Sequence, residues 1–358
     1  MAGHRVSPGD GSDRSWQQSE SVAIVLTDPA IPLPVPVPSG VAAVGVGTWA
    51  WGNQFLWGYD PAQDAELAAC FRRAVDLGLT VFDTADSYGT GRFGGRSESL
   101  LGGFVEALPP DRRGALTVAT KLAPFPWRLG RRGFERAFEA SRRRLRGHLD
   151  RVQLHWSTAR YAPWQEAALL EGLADLVEQG RVGSLGVSNL GPRRLRLVHG
   201  RLARRGLRLS SLQVQLSLLA PDALAAEGVA PVCRELGIEL LAYSPLALGL
   251  LSRPPGEGQA LPPGPRGLLF RRLQPRIQPL LQTMERIACA HNAPMAAVAI
   301  NWCRAHGALP LVGLRRVDQA EAAAAATSWC LDDGERRDLD RVAQRCDGRM
   351  PANPFQSG

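Results

Sequence analysis

Leu79-Thr80-Val81-Phe82-Asp83-Thr84-Ala85-Asp86-Ser87-Tyr88-Gly89 is a short apolar run that turns polar within one residue. The run reads as a buried strand near 79–82, with an acid closing it at Asp83 and a phenol in the loop that follows at Tyr88. The same unit recurs on both sides of it. Further strands are predicted near 41–46, 115–120, 151–155, 182–187, 211–215, 238–243 and 309–312. Between them lie helix-like segments at 62–77, 133–147, 163–179 and 192–204, several opened by Pro or preceded by Asp and several followed by Gly. Strand and helix in strict alternation imply a parallel sheet, and eight strands are enough to close one. The expectation is an α/β fold, a single-domain (β/α)8 barrel over 39–346, with a flexible polar and Pro-rich segment at 1–38 and a C-terminal tail at 347–358. The stretch 246–273 contains Pro254, Pro255, Pro262, Pro263 and Pro265, so it is expected to form a long loop over the barrel's C-terminal face. The alanine run 322–326 is a good helix former and implies nothing more.

Composition agrees with one large core. The 358 residues are 45% hydrophobic and 21% charged, an ordinary globular balance. No stretch approaches the roughly 18 apolar residues of a membrane span. Residues 1–28 carry Asp10, Asp13, Glu20 and Asp28, unlike an acid-poor transit peptide, so a cytoplasmic protein is expected. The six cysteines, Cys70, Cys233, Cys289, Cys303, Cys330 and Cys346, are scattered with no CxxC pair, so no metal is implied. The net charge of +8 is spread along helical stretches rather than gathered, which speaks against nucleic acid and for a solvated surface with one anionic ligand. Of the 42 basic residues, 41 are arginine and only Lys121 is lysine. Arg holds its proton permanently, whereas a compact ammonium fits a tight site and responds to its neighbours. The composition therefore marks Lys121 as a residue of chemistry.

The polar groups at the strand ends explain one another. Asp83 closes the second strand, Tyr88 follows it, Lys121 closes the third and His155 the fourth. A barrel brings such positions together at its C-terminal mouth. A phenol with a pKa near 10 is a poor acid at neutral pH, and a neighbouring ammonium is expected to lower it. Asp83 would keep Lys121 charged and aimed, and His155 would hydrogen-bond a carbonyl oxygen. The set suits carbonyl reduction with Tyr88 as the proton donor.

These segments also carry a resemblance. Phe82 to Gly89, Ala119-Thr120-Lys121, Gln153-Leu154-His155-Trp156 and Gly186-Val187-Ser188-Asn189 resemble the signature segments of the aldo-keto reductase superfamily, as do Gln213 to Leu219 and Ala242-Tyr243-Ser244-Pro245-Leu246. The resemblance runs from about Val41 to Leu339. A narrower one is carried by Gly47 to Tyr59, by His155-Trp156-Ser157-Thr158 and by Gly264-Pro265-Arg266, which resemble the plant chloroplast pyridoxal reductases and their cyanobacterial-type relatives.

The resemblance implies NADPH as cofactor, held by the barrel itself, since no GxGxxG follows the first strand. It implies that Ser188, Asn189 and Gln213 hold the nicotinamide carboxamide and that Ser244 and Leu246 border the pyrophosphate. It also implies that Gly313, Arg315 and Arg316 grip the 2′-phosphate, with Thr48, Trp49 and Gln319 completing the set. Leu216 stands where many relatives place an aromatic ring against the nicotinamide, and Ala323 where an adenine-contacting Asn is common. For the substrate, Trp49, Trp51, Trp57, Trp156 and Ser157 are the expected pocket. The implied reaction is reduction of an aldehyde by NADPH, pyridoxal to pyridoxine in the narrower reading. A broad-specificity aldehyde or ketone reductase and an NADPH-binding regulatory subunit are the alternatives, with no membrane or nucleic-acid partner expected and a monomer or small homo-oligomer as the assembly.

Overall fold

Leu67, Cys70, Phe71, Ala74 and Val75 fall at helical intervals of three and four, and they form the buried stripe of the helix Asp64–Asp76. In the computed structural model, which describes residues 44–256, 260–353 and 356–357, this helix packs Phe71 onto Phe82 of the neighbouring strand with ring centroids 4.9 Å apart. The same logic repeats around the molecule. Eight strands, β1 (Gly45–Gly47), β2 (Val81–Asp83), β3 (Thr117–Leu122), β4 (Arg151–Leu154), β5 (Ser184–Ser188), β6 (Leu209–Gln215), β7 (Glu239–Tyr243) and β8 (Ala308–Gly313), form a closed parallel barrel in sequence order. Pairing of β8 with β1 completes the closure. The main core lies between strands and helices, and among the described residues no helix is long and apolar enough to cross a membrane.

Side chains alternate across each strand, so every second residue points into the barrel. The inward set is apolar low in the barrel, where Leu241, Leu309 and Leu311 cluster with Val81. Arg151 and Glu239, each the first residue of its strand, form an ion pair at 2.8 Å between the non-adjacent β4 and β7. Near the strands' C-terminal ends the inward face becomes polar, with Asp83, Lys121, Gln153 and Gln213 all buried.

The eight expected strands are all present, two of them, β6 and β8, starting earlier than their apolar runs and three, β2, β3 and β5, starting two residues later. Leu79 shows the cause: its N–H bonds Ala74 O and closes the preceding helix before the strand begins. The first positions of the run at 41–46, like the whole segment 1–38, lie outside the described residues. The expected long loop at 246–273 is instead partly helical, with a turn at Ala247–Ser252 and a helix at Pro265–Leu273. Pro265 is the first residue of that helix, where the N–H has no intrahelical partner to lose. Within the 347–358 stretch, Met350 to Asn353 line the barrel mouth.

Candidate active site

A cavity of about 870 Å³ opens at the C-terminal mouth, and every strand residue that lines it, from Gly47 of β1 through Asp83 and Lys121 to Gly313 of β8, belongs to the inward set. At its floor, Lys121 is 1% exposed. Its Nζ makes a short ion pair with Asp83 Oδ2 and donates to Thr84 O at 2.7 Å. The other Asp83 oxygen accepts from Gln153 Nε2 at 2.8 Å and Gln213 Nε2 at 3.0 Å. A buried carboxylate is thus met by an ammonium and two amides from three other strands. Lys121 Nζ lies 4.9 Å from the centroid of the Tyr88 ring. The loop that carries Tyr88 turns at Gly89, whose φ is +101° and where a Cβ would come within 1.9 Å of Phe93 O, so only glycine fits.

Burial sets the proton positions here. It raises the Tyr88 phenol above its ordinary value of 10.0. Lys121 pulls in the opposite direction but does not prevail, which corrects the expectation of a lowered phenol. Tyr88 therefore carries its proton at neutral pH. Burial would lower Lys121, yet Asp83 and Tyr88 together hold it above its ordinary range and so charged. His155 is driven well below 6.5 by burial and by the Lys121 charge, and is neutral. Its Nδ1 is hydrogen-bonded to Ser87 Oγ at 3.2 Å.

The side of the cavity beyond Ser188, Asn189 and Tyr243 carries arginines. Arg253, Arg266, Arg315 and Arg316 all line it, and the first three pair with no carboxylate among the described residues. Arg266 stacks over Trp57 at 4.0 Å and is pushed down to about 10 by burial, Arg315 and Arg253. The buried Nε atoms of Arg253 and Arg266 have no partner among the described residues. Like charges that meet no carboxylate among the described residues, together with buried donors, form a site that fits a multiply charged anion such as a nucleotide phosphate. Arg316 differs, because its guanidinium already forks onto Asp318 at 3.0 and 2.7 Å.

The structure gathers most of the expected residues in this one cavity, namely Asp83, Tyr88, Lys121 and His155, with Trp49, Ser188, Asn189, Gln213, Ser244, Leu246, Gly313, Arg315, Arg316 and Gln319, and Trp57 and Trp156 of the aromatic set. Others lie elsewhere. Trp51 is fully buried in the core and donates to Leu314 O at 2.8 Å. Ser157 is buried against Glu166. Thr48 is buried with its hydroxyl on Asp83 O at 3.1 Å. Leu216 is fully buried outside the cavity, and the aromatic ring beside Asn189 is Tyr243, whose hydroxyl donates to Asn189 Oδ1 at 3.0 Å. Sequence reasoning passed over Tyr243, Ser87, Arg253 and Asn353. Tyr243 and Ser87 were within reach, since both lie in signature segments; Arg253 and Asn353 sit in irregular backbone with no periodic signal.

Known proteins resemble this chain along most of its length. The model of the aldo/keto reductase family matches residues 43–344. The chloroplastic pyridoxal reductase of Arabidopsis thaliana is 44% identical over 310 residues, covering 86% of this chain and 84% of the relative. An uncharacterised oxidoreductase of Mycobacterium tuberculosis is 36% identical over 80% of this chain and 85% of its own. Among solved structures, an aldo/keto reductase from Klebsiella pneumoniae in complex with NADP and acetate superposes with a TM-score of 0.66 at 27% identity, covering 87% of this chain and 95% of that one. With a family model spanning the whole barrel and close relatives along most of the chain, the protein is a member of the aldo/keto reductase family, an oxidoreductase built on a (β/α)8 barrel.

Proposed function

We propose that the protein reduces an aldehyde with NADPH, and that pyridoxal, converted to pyridoxine, is its preferred substrate. The observation that carries the reaction type is the floor of the cavity, where a protonated Tyr88 and a neutral His155 stand over the Lys121–Asp83 pair. Bound NADPH supplies a hydride; Ser188, Asn189, Gln213 and Tyr243 would hold its nicotinamide end, and Arg253, Arg266 and Arg315 its phosphates. Tyr88 gives its proton to the carbonyl oxygen as that oxygen gains charge, and Lys121 stabilises the phenolate left behind. With Nδ1 held by the Ser87 hydroxyl, the remaining ring nitrogen of His155 directs an N–H toward the same oxygen. An intact set of this kind favours an enzyme over a cofactor-binding regulatory subunit.

For the substrate, Trp49 and Trp156 offer flat walls on which a pyridine ring can lie. The 44% identity to a pyridoxal reductase supports the same choice. Ser157, being buried, cannot meet the ring's polar substituents, which leaves Ser87 and the donors of the floor. The test compares kcat/KM for pyridoxal with that for pyridine carbaldehydes lacking the hydroxymethyl and phenolic groups. Removing those groups is expected to cost at least tenfold, about 1.4 kcal/mol. Equal rates would leave a broad-specificity aldehyde reductase in its place.

A further inference from the structure

The side-chain amide of Asn189 is saturated. Its Nδ2 donates to His155 O at 3.1 Å and to Ser188 Oγ at 3.0 Å. Its Oδ1 accepts from Tyr243 Oη at 3.0 Å and from Asn353 Nδ2 at 3.0 Å. An amide has two N–H groups and two carbonyl lone pairs, so nothing is left to offer a ligand. Three of these partners stand on or beside the ends of β4, β5 and β7 and cannot leave without opening the barrel. The fourth comes from beyond the last helix, Asp333–Arg345, and from beyond residue 344, where the family match ends.

The segment that carries Asn353 is seated at the barrel mouth by hydrogen bonds at several points. Met350 N–H bonds Leu219 O at 2.9 Å and Ser357 N–H bonds Asn189 O at 3.0 Å. Ser357 Oγ accepts from Gly191 N at 3.3 Å. Asn353 Nδ2 also donates to Tyr243 Oη at 2.6 Å. Met350, Pro351, Ala352 and Asn353 then form a wall of the same cavity. No regular helix or strand includes the described residues of this segment.

We infer that Asn353 is an internal stand-in for the nicotinamide carboxamide: its amide N–H groups occupy, in the free protein, the Asn189 and Tyr243 oxygens that the cofactor's own amide would use, so that cofactor entry displaces the segment 350–353. The inference rests on the reading that NADPH binds against Asn189. A carboxamide replacing a carboxamide leaves both oxygens satisfied in either state, so Asn189 is never left buried without partners. The closed form then lowers the apparent affinity by the fraction of molecules that are open.

The test uses the full chain carrying Asn353→Ala, with NADPH binding followed by quenching of tryptophan fluorescence at equilibrium and in stopped flow. Two hydrogen bonds no longer compete, so binding is expected to tighten by about fivefold or more, with faster association. Asn353→Asp, whose carboxylate cannot donate to Asn189 Oδ1, should behave in the same way. Amide hydrogen exchange in a peptide spanning 350–357 should accelerate when NADPH is added to the natural protein. Weaker or unchanged binding by both variants, or slower exchange, overturns the inference while leaving the cofactor reading intact. Absence of NADPH binding by the natural protein and the variants alike would overturn the cofactor reading and the inference with it.

Discussion

The two ends of the barrel interior use the same strands for opposite purposes. On β2, Val81 packs among Leu241, Leu309 and Leu311, and Asp83, two residues on, takes part in the Lys121 ion pair. On β7 the step from Leu241 to Tyr243 makes the same change. One pleat repeat, about 7 Å of strand, separates a group whose contribution is packing from one whose contribution is chemistry. The lower layer can hold the strands in place because it does nothing else. The upper layer tolerates a buried charge because strands fixed below aim three donors at it, one of them an ammonium.

Substitutions at the two levels should therefore have crossed effects. Tyr88→Phe keeps the ring and removes the proton, and turnover is expected to fall a hundredfold or more, with a melting temperature near that of the natural protein. Leu309→Ala should lose about 2–5 kcal/mol of stability through the cavity it leaves, while turnover per folded molecule stays within a few fold. If turnover and stability fell together in both variants, the separation of levels would be wrong.

The arginine end sharpens the comparison further. Arg266→Ala should weaken NADPH by about tenfold or more, with NADH much less affected, because a charged hydrogen-bond donor in a half-buried site is lost. Arg316→Ala should change NADPH affinity by less than about threefold, since its guanidinium already faces Asp318. Titration of both nucleotides against each variant checks the order, and a larger loss at Arg316 would reverse the assignment.

The smallest expected effect is on acid stability. His155 binds its proton less readily in the folded protein than the ordinary 6.5 because burial and Lys121 disfavour the charged ring. The unfolded chain therefore takes up the proton first as pH falls, and the stability His155 contributes is present above about 6.5 and lost on acidification toward its depressed folded value. Denaturant midpoints for the natural protein and His155→Gln should draw together between pH 7 and 5. A constant gap would show that His155 does not titrate differently on folding.

How much of this was legible differs between the levels. Strands such as Val81–Asp83 announce themselves because an apolar run and its polar stop are local properties of the chain. Asp83, Tyr88, Lys121 and His155 were readable for the same reason, one polar group at each of three successive strand ends and one in the loop between. Trp51 and Ser157 misled because the side on which a loop residue faces depends on partners such as Leu314 and Glu166, far along the chain in the first case. The direction of the Tyr88 pKa was also out of reach. Composition gives the lysine that lowers it, whereas the burial that outweighs it exists only once the mouth is assembled. Asn353 carried no sign at all, since its partners lie 110 and 164 residues away.

The solitary lysine has a practical consequence. A protease specific for lysine finds a single bond to cut in this chain, and that bond joins Lys121 to Leu122 inside a barrel strand. An amine-directed label likewise finds a single side chain, 1% exposed on the floor of the mouth cavity. The protease thus acts only on molecules whose barrel has opened, and the appearance of the fragments 1–121 and 122–358 becomes a clock for unfolding at the candidate active site.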